Sequence, residues 1–283
     1  YILPHVAKAA CNVVPASGGF DEAEIFDLLR AHRGVTLFAA PTMVKRLVAH
    51  AGPAGADCTN LKTIVYGGGP MYVEDCKAAM RVFGCKLAQI YGQGESPMTI
   101  TAMDKALHAD TAHPRYEQRL ASVGLPFTGI EVRVADANDQ PLPAGEAGEV
   151  LVRGATVMAG YLNNPEASAQ TLRGGWLHSG DIGRMDADGY VYIVDRLKRM
   201  INASGFKVWP AEVEALLYGH PAVQEACVIG AADAHRGETV KAIVVIREAS
   251  RGQVSEQDVI DWARANMAAY KAPRIVEFVD ALP

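Results

Sequence analysis

Strand-like and helix-like segments alternate in the first third of the chain, and this alternation limits the possible folds more than any other feature. VTLFAA (35–40), LKTIVYGGGP (61–70) and KLAQIYGQGE (86–95) have the character of strands, and the last two run into glycine turns. The segments between them, PTMVKRLVAHAG (41–52) and VEDCKAAMRVFG (73–84), are predicted helices. This order predicts an α/β fold with a parallel sheet covered by helices. Ligands bind such sheets at the carboxyl ends of the strands, where both glycine turns lie.

The pattern changes after about residue 120, where alternating apolar and polar residues replace the helical segments. GIEVRVADANDQPLPAGEAGEVLVRG (129–154) contains two such stretches around a turn rich in Pro, Gly and Asp, and DGYVYIVD (188–195) contains another. This pattern predicts antiparallel strands in a barrel-like arrangement over residues 121–194.

A third region begins at Asp195 and has the pattern of a small α+β domain. Its predicted elements are, in order, a helix at 210–219, strands at 222–230 and 238–248, a helix at 255–267 and a strand at 274–280. Ser255 and Asp258 resemble a capping box, with Asp in place of the usual Glu or Gln. We therefore expect 1–194 to belong to a large domain and 195–283 to form a small one.

The composition is that of an ordinary globular protein. Hydrophobic residues make up 49% of the 283 residues, and the net charge of −5 gives no indication of binding to nucleic acid or to an acidic membrane surface. The longest apolar stretches, such as AIVVI (242–246), are too short to span a bilayer. The five cysteines are scattered and form no CxxC pair. This argues against a disulfide framework or a zinc site and favours a reducing, cytoplasmic setting.

Both ends of the sequence look cut. Tyr1 opens the apolar run YILPHVAKAA without the basic leader and the small-residue cleavage site of a signal peptide. The other end stops at FVDALP (278–283), within a strand-and-turn pattern. We expect the chain to be a piece of a longer protein.

Two glycine turns are candidates for a nucleotide site. YGGGP (66–70) does not match the dinucleotide-binding pattern, because Tyr72 stands where the third glycine belongs, but its glycines allow a planar ligand to approach closely. In YGQGE (91–95), Tyr91 could stack on a base and Glu95 could bind Mg²⁺ on a polyphosphate. A plain turn also explains each motif when it is considered alone.

Two later segments carry charges that could serve the same ligand. GWLHSGD (175–181) ends in Asp181, whose carboxylate could accept both hydroxyls of a ribose, although an Asx-type turn also explains it. DRLKRMINASGFKVWPAEVE (195–214) carries four basic side chains, those of Arg196, Lys198, Arg199 and Lys207. Such a run is either a solvated surface loop or the partner of an anionic ligand.

Taken in order, these motifs resemble those of one family. GGGP, YGQGE, GEVLVRGATVMAGYLNNPEA (148–167), GWLHSGD and DRLKRMINASGFKVWPAEVE follow the order of the adenylate-forming (ANL) superfamily, which includes acyl-CoA synthetases, peptide-synthetase adenylation domains and luciferases. HPAVQEACVIGAAD (220–233) resembles the family's small C-terminal domain. The resemblance covers nearly the whole chain. It implies the later part of the large domain, α/β over 1–120 and barrel-like over 121–194, and a truncated small domain.

The resemblance implies an enzyme that joins a carboxylate to AMP with release of pyrophosphate and then transfers the acyl group to a thiol. Its partners would be ATP, Mg²⁺, a small carboxylic acid and coenzyme A, and we expect the acid to be fatty or aromatic. Glu95 resembles the Mg²⁺-associated glutamate, and it is a catalytic candidate together with Arg196. The residues implied around ATP or AMP are Gly67, Gly68, Gly69, Pro70, Tyr91, Gly92, Gln93, Gly94, Asp181 and Arg196. Tyr91, Glu95, Asp181 and Arg196 are expected to converge on one cleft.

The resemblance also implies a moving domain. Asp195 matches the hinge about which the small domain turns between an adenylating and a thioester-forming arrangement. Gly205 and Phe206 match the channel for the pantetheine arm of CoA, where a side chain at Gly205 would obstruct the thiol. The basic segment would face the nucleotide in one arrangement and CoA in the other, because an Arg at the joint can offset phosphate charge in both.

The sequence departs from the family's pattern in several places. Gly94 stands where the family usually has Thr, so a hydroxyl contact to the α-phosphate is absent, and Ser179 also replaces Thr. The Ser/Thr/Gly-rich phosphate loop is not found in the sequence. The catalytic lysine normally follows a segment like FVDALP, and Lys271 precedes that segment. We expect the parent protein to be an ATP-dependent carboxylate–CoA ligase and this chain alone to be inactive in adenylation.

Two alternatives remain open. The acceptor thiol could belong to a carrier protein instead of free CoA, although VWP (208–210) resembles the stand-alone acyl-CoA synthetases. The chain could also be a non-catalytic nucleotide-binding relative, for which Gly94 is the strongest argument. The sequence does not identify the acid, since Ala88, Ile90 and Met98 fit an apolar pocket and ordinary core packing equally.

Overall fold

Two compact units make up the structure, each with its own hydrophobic core. The computed structural model describes residues 2–52, 56–203, 206–233 and 237–282. The first unit comprises Tyr1–Glu146, Val150–Ser179 and Arg184–Tyr192, and the second comprises Ala147–Glu149, Gly180–Gly183 and Ile193–Pro283. No helix within the described ranges is long and apolar enough to cross a membrane.

A five-stranded sheet lies at the centre of the first unit. Its strands follow the order of the sequence: β1 (Val35–Ala39), β2 (Leu61–Tyr66), β3 (Leu87–Gln93), β4 (Ser96–Met103) and β5 (Leu125–Pro126). The first three strands are parallel, and β4 and β5 extend the sheet with antiparallel pairing. The predicted parallel sheet is therefore confirmed for its three strands.

The first unit contains the helices α1 (Ile2–Ala7), α2 (Glu22–Ala31), α3 (Pro41–Ala51), α4 (Val73–Phe83), α5 (Lys105–Ala109), α6 (Tyr116–Leu120) and α7 (Pro165–Thr171). The two helices predicted at 41–52 and 73–84 are α3 and α4, which begin and end close to their predicted positions. Pro41 opens α3, where its missing amide hydrogen costs nothing, and Gly52 follows its last residue with φ of +61°. Phe26, Leu47 and Phe83 carry the apolar faces of α2, α3 and α4 into the core shared with β1, β2 and β3. This packing covers the sheet, as predicted.

The segment predicted to be barrel-like forms an open sheet. Its strands are β6 (Ile130–Ala135), β7 (Gly148–Gly154), β8 (Leu177–Met185) and β9 (Val191–Arg196), in that order. Closure into a barrel requires β6 and β9 to pair, and the residues that the structure describes contain no such pair. The α/β fold class is confirmed, and its barrel-like part is a four-stranded open sheet.

The second unit has the predicted α+β pattern. Its elements are β10 (Ile201–Ala203), β11 (Phe206–Val208), α8 (Pro210–Leu217), β12 (Val223–Asp233), β13 (Gly237–Ile246), α9 (Glu256–Asn266) and β14 (Ile275–Phe278). The sheet order is β11-β10-β13-β12, and β14 pairs with β13 in parallel. Val213, Val244 and Val259 bring α8, β13 and α9 into one core. The capping box of Ser255 and Asp258 at the start of α9 is confirmed.

Candidate functional site

The first glycine turn lies at the carboxyl end of β2, where a parallel sheet binds its ligands. A Cβ atom at Gly67 would lie 2.3 Å from the carbonyl oxygen of Ile90 on β3, so only glycine fits there without a shift of the backbone. Gly68 has φ of +82°, which also favours glycine. Gly68, Gly69 and Pro70 are exposed. The turn therefore offers backbone groups to which a flat ligand could come close.

A buried hydrogen-bond network holds the residue before this turn, and the sequence analysis missed it. The hydroxyl of Tyr66 lies 2.9 Å from His108 Nε2, and His108 Nδ1 lies 2.6 Å from the carbonyl oxygen of Asp104. Because a carbonyl only accepts, Nδ1 carries the proton and Nε2 accepts the proton of Tyr66. The longer contact of 3.4 Å from Tyr66 to Gln89 Oε1 is then secondary. Burial lowers the pKa of His108 and raises that of Tyr66 well above its ordinary value, so both groups stay neutral.

The YGQGE motif forms the end of β3 and the tight turn into β4. Gln93 pairs with Ser96, so Gly94 and Glu95 are the two residues of the turn. A Cβ atom at Gly92 would lie 2.3 Å from a backbone nitrogen of β4, which explains a glycine at that position. At Gly94, by contrast, a Cβ atom would meet no described atom within 4 Å. The Thr that the family usually has would therefore fit, and packing does not require glycine here.

Gln93 also connects this turn to the GWLHSGD motif within the first unit. Its Nε2 donates a hydrogen bond of 2.9 Å to the carbonyl oxygen of Ser179. The hydroxyl of Ser179 donates to the carbonyl oxygen of Val150 at 2.6 Å. Tyr91, the candidate stacking residue, lies half-buried on β3 at the same end of the sheet.

The carboxylate of Glu95 has a partner that the sequence analysis did not select. Tyr161 donates its hydroxyl proton to Glu95 Oε1 at 2.5 Å. This hydrogen bond, followed by burial, raises the pKa of Tyr161. Tyr161 belongs to the family-like segment GEVLVRGATVMAGYLNNPEA, which drew attention as a motif but supplied no candidate residue. The signal in the sequence that could have identified Tyr161 was its aromatic hydroxyl within that motif.

Asp181 and Arg196 form an ion pair within the second unit. The Asp181 side chain is 6% exposed, and its Oδ1 lies 3.3 Å from Arg196 Nε. The Arg196 side chain is 70% exposed. A buried carboxylate beside an exposed guanidinium could accept hydrogen bonds from the hydroxyls of a sugar while the guanidinium reaches a phosphate.

The carboxylate of Asp195 is held by two backbone amides. It is 1% exposed and accepts hydrogen bonds of 2.7 Å from the backbone amides of Arg196 and Ala211. Arg199 lies 3.5 Å from Asp195 Oδ1 and 2.6 Å from Glu214 Oε1, so it connects two carboxylates. Burial acts to lower the pKa of Arg199, and the two carboxylates raise it above its ordinary value. Arg199, which the sequence left unassigned, thus links the end of β9 to α8.

Of the two residues proposed for the CoA channel, the structure describes Phe206. Gly205 lies outside the described residues. Phe206 is 55% exposed and stacks on Tyr270 with ring centroids 4.9 Å apart. Lys271 pairs with Glu212 and also lies 5.7 Å from the Tyr270 ring.

The candidate residues thus fall into two groups, each within one unit. The glycine turn, Tyr91 and Glu95 belong to the first unit, and Asp181, Asp195 and Arg196 belong to the second. The convergence of Tyr91, Glu95, Asp181 and Arg196 on one cleft stays a prediction.

Models of two protein families match the chain. The family described as AMP-binding enzyme matches residues 1–162, and the AMP-binding enzyme C-terminal domain matches residues 212–283. Together they include the glycine turn, the YGQGE motif and most of the second unit.

Curated relatives and a solved structure resemble the chain over almost its whole length. A feruloyl-CoA synthase from Amycolatopsis sp is 37% identical over 281 residues, which are 99% of this chain and 55% of the relative. The medium/long-chain-fatty-acid–CoA ligase FadD8 from Mycobacterium tuberculosis is 36% identical, over 100% of this chain and 49% of the relative. The amide bond synthetase McbA from Marinactinospora thermotolerans is 34% identical with a TM-score of 0.83, over 94% of this chain and 52% of that one. The chain therefore spans about half the length of the curated relatives it matches.

Proposed function

The chain belongs to the family of AMP-binding enzymes, and we propose that the protein containing it is an ATP-dependent carboxylate–CoA ligase. The observation that carries this proposal is the similarity over 99% of the chain to a relative named as a CoA synthase. A second relative, named as a CoA ligase, matches the whole chain. The motif order and the site geometry then suggest the role of each residue.

Glu95 is the residue that we propose for Mg²⁺. The described part of the chain contains no group of three or more His, Cys, Asp and Glu side chains that could hold a metal ion on its own. A single carboxylate at a turn fits Mg²⁺ that arrives on ATP, because this ion is commonly held by one or two carboxylates, phosphate oxygens and water. Bound there, Mg²⁺ would compensate the charge of the departing pyrophosphate.

The remaining nucleotide contacts are proposed for residues of both units. In the first unit, the backbone of the glycine turn would border the adenine and Tyr91 would stack on it. In the second unit, Asp181 would accept the ribose hydroxyls and Arg196 would turn its exposed guanidinium toward a phosphate. The buried position of Asp181 supports this role, because an immobile carboxylate loses little freedom when it binds a diol.

The proposed reaction has two steps. A carboxylate oxygen of the acid attacks the α-phosphorus of ATP, and the bond from that phosphorus to the pyrophosphate oxygen breaks. The thiolate of CoA then attacks the carbonyl carbon of the acyl adenylate, and AMP leaves with the bonding electron pair. The residues of this chain would act by orientation and by charge compensation. The second step would use the hinge at Asp195 and the channel residues Gly205 and Phe206. The acceptor thiol is also chosen in this step.

We propose a fatty or aromatic acid as the substrate and the cytoplasm as the setting. The names of the two relatives support this choice, since one is a feruloyl-CoA synthase and the other a fatty-acid–CoA ligase. Free CoA is the proposed acceptor for the same reason.

Pyrophosphate release by the full-length protein tests the proposal. With ATP and Mg²⁺ we expect ferulate or dodecanoate to stimulate release and CoA to convert the adenylate into a thioester. Glu95→Gln should reduce the rate about 100-fold, the usual effect of removing a charge-stabilising group. Glu146→Gln, a change at an exposed carboxylate outside the site, should leave it unchanged. A protein that binds ATP but releases no pyrophosphate with any acid would contradict the proposal and favour a non-catalytic relative.

Two further measurements define the limits of the proposal. We expect the isolated 283-residue chain to release no pyrophosphate, because the phosphate loop is missing from its sequence. Replacing CoA by a pantetheine-bearing carrier protein in the full-length assay decides between the two acceptors. Thioester formation on the carrier alone would overturn the choice of CoA.

Gly94 offers a gain-of-function test. Because the position is open, Gly94→Thr should fold normally and return a hydroxyl to the α-phosphate. One hydrogen bond to a charged group is worth about tenfold in rate, so kcat/KM for ATP should rise by about that factor. Gly94→Ala, which adds the Cβ without the hydroxyl, is the control. Equal values for the Thr and Ala variants would show that no hydroxyl contact is missing.

A further inference from the structure

Glu95 stands where a long acidic side chain would ordinarily sample several conformations. It occupies one of the two positions of the β3–β4 turn, and its neighbour Gly94 has no described atom within 4 Å of its Cβ position. A free glutamate loses considerable rotamer entropy when it must hold one geometry for a cation. Here the hydroxyl of Tyr161 already fixes Oε1 at 2.5 Å.

The backbone around Glu95 is held by the same segment of the chain. The Met158 amide donates to the Glu95 carbonyl oxygen at 2.8 Å. The hydroxyls of Ser96 and Thr156 lie 3.1 Å apart. Residues 156–161 therefore contact residues 95–96 at three points, two of which fix the turn and one of which fixes the carboxylate.

Tyr161 is itself anchored to α7. Its amide donates to Ser168 Oγ at 2.8 Å, and Ser168 Oγ donates to the carbonyl oxygen of Asn164 at 2.7 Å. The Asn164 side chain caps α7. The hydrogen bonds thus run from α7 to the Tyr161 amide and from the Tyr161 hydroxyl to Glu95.

We propose that Tyr161 is a positioning residue that holds the Glu95 carboxylate in the orientation that binds the magnesium–nucleotide complex. The hydroxyl occupies one carboxylate oxygen and leaves the other oxygen for the cation, while the carboxylate keeps its negative charge. A neutral donor suits this role, because a cationic partner would compete with Mg²⁺ for the carboxylate. This inference rests on the proposed role of Glu95 as the Mg²⁺ residue.

The test compares ATP binding with and without Mg²⁺ in the full-length protein. Tyr161→Phe removes only the hydroxyl and should weaken the Mg²⁺-dependent gain in ATP affinity about tenfold, the usual effect of losing a group that orients a metal ligand. Its affinity for metal-free ATP should not change. The matched control is Tyr192→Phe, which removes a similar hydrogen bond of 3.0 Å, to Asp186, between two residues that have no proposed role in the site. In the Glu95→Gln background, Tyr161→Phe should have no further effect.

Each result has a definite meaning. An unchanged Mg²⁺-dependent gain in Tyr161→Phe, or effects that add in the double variant, would overturn the inference. So would an equal loss of affinity for ATP with and without Mg²⁺, which indicates a purely structural role. If the wild type shows the Mg²⁺-dependent gain and the variant loses it, but no acid stimulates pyrophosphate release, the inference stands and the ligase proposal fails. A wild type without any Mg²⁺-dependent gain would refute the Mg²⁺ role of Glu95 and this inference together.

Discussion

Replacement of Asp195 by Asn should destabilise the second unit strongly, because both carboxylate oxygens already accept a backbone hydrogen bond. Oδ1 accepts from the Arg196 amide and Oδ2 from the Ala211 amide, each at 2.7 Å. Asparagine offers one oxygen, so its amide nitrogen must face a second N–H donor in a site that is 1% exposed. One hydrogen bond to a charged group is lost and one buried donor is left unsatisfied, which costs about 2.5 kcal/mol.

The ion pair between Arg199 and Asp195 contributes little to this loss of unfolding free energy. Arg199 is 42% exposed and keeps its bond of 2.6 Å to Glu214 when Asp195 loses its charge. The effect of Asp195→Asn should therefore come mainly from the two backbone amides.

Urea unfolding of the 283-residue chain measures the effect. Among the three tryptophans, Trp209 and Trp262 belong to the second unit, so a Trp176→Phe background makes fluorescence report on that unit. With an m-value of about 1.5 kcal/mol/M, a loss of about 2.5 kcal/mol lowers the urea midpoint by about 1.7 M. Asp261→Asn, at a carboxylate 61% exposed that pairs with Arg264, is the control and should shift the free energy of unfolding by less than about 0.5 kcal/mol. Equal midpoints for the two variants would refute the reasoning.

Two further predictions concern the first unit. Burial lowers the pKa of His108, so the unfolded chain binds more protons than the folded one and stability should fall as the pH drops below about 6.5, by up to about 1.4 kcal/mol per pH unit. His108→Gln should remove this part of the slope in unfolding experiments across pH 5 to 8, and an unchanged slope would contradict the assignment. Gly67→Ala should cost about 3 kcal/mol, because its Cβ would lie 2.3 Å from the Ile90 carbonyl oxygen. Gly69→Ala, whose Cβ would have Pro41 as its nearest neighbour at 3.8 Å, should be nearly neutral. Urea unfolding in a Trp209→Phe, Trp262→Phe background, in which Trp176 reports on the first unit, measures both variants. Similar losses for both variants would rule out the steric explanation.

Local signals predicted the framework of this protein well. The strand character of VTLFAA and LKTIVY and the Pro–Gly boundaries of α3 depend on neighbouring residues, so they can be recognised without the fold. The same is true of the capping box at Ser255. The alternation of strands and helices then required a parallel sheet, which in turn placed both glycine turns at the carboxyl ends of its strands.

Short elements and long-range pairs were not predictable in this way. The strands β10 and β11 contain three residues each, too few to show a period. Of the strands in 121–194, β6, β7 and β9 were predicted and β8 was not. Closure was not decided by the pattern, because period-two alternation is the same in a barrel and in an open sheet.

The sequence by itself determined the fold class, the family and the short list of candidate residues, because motif order and hydrophobic periodicity are properties of the chain. Only the tertiary structure decided which side chains hold those candidates. Tyr161 reaches Glu95 across 66 positions of the sequence and His108 reaches Tyr66 across 42. A hydrogen bond depends on where two atoms lie in space, and no local pattern specifies the distance between residues so far apart along the chain.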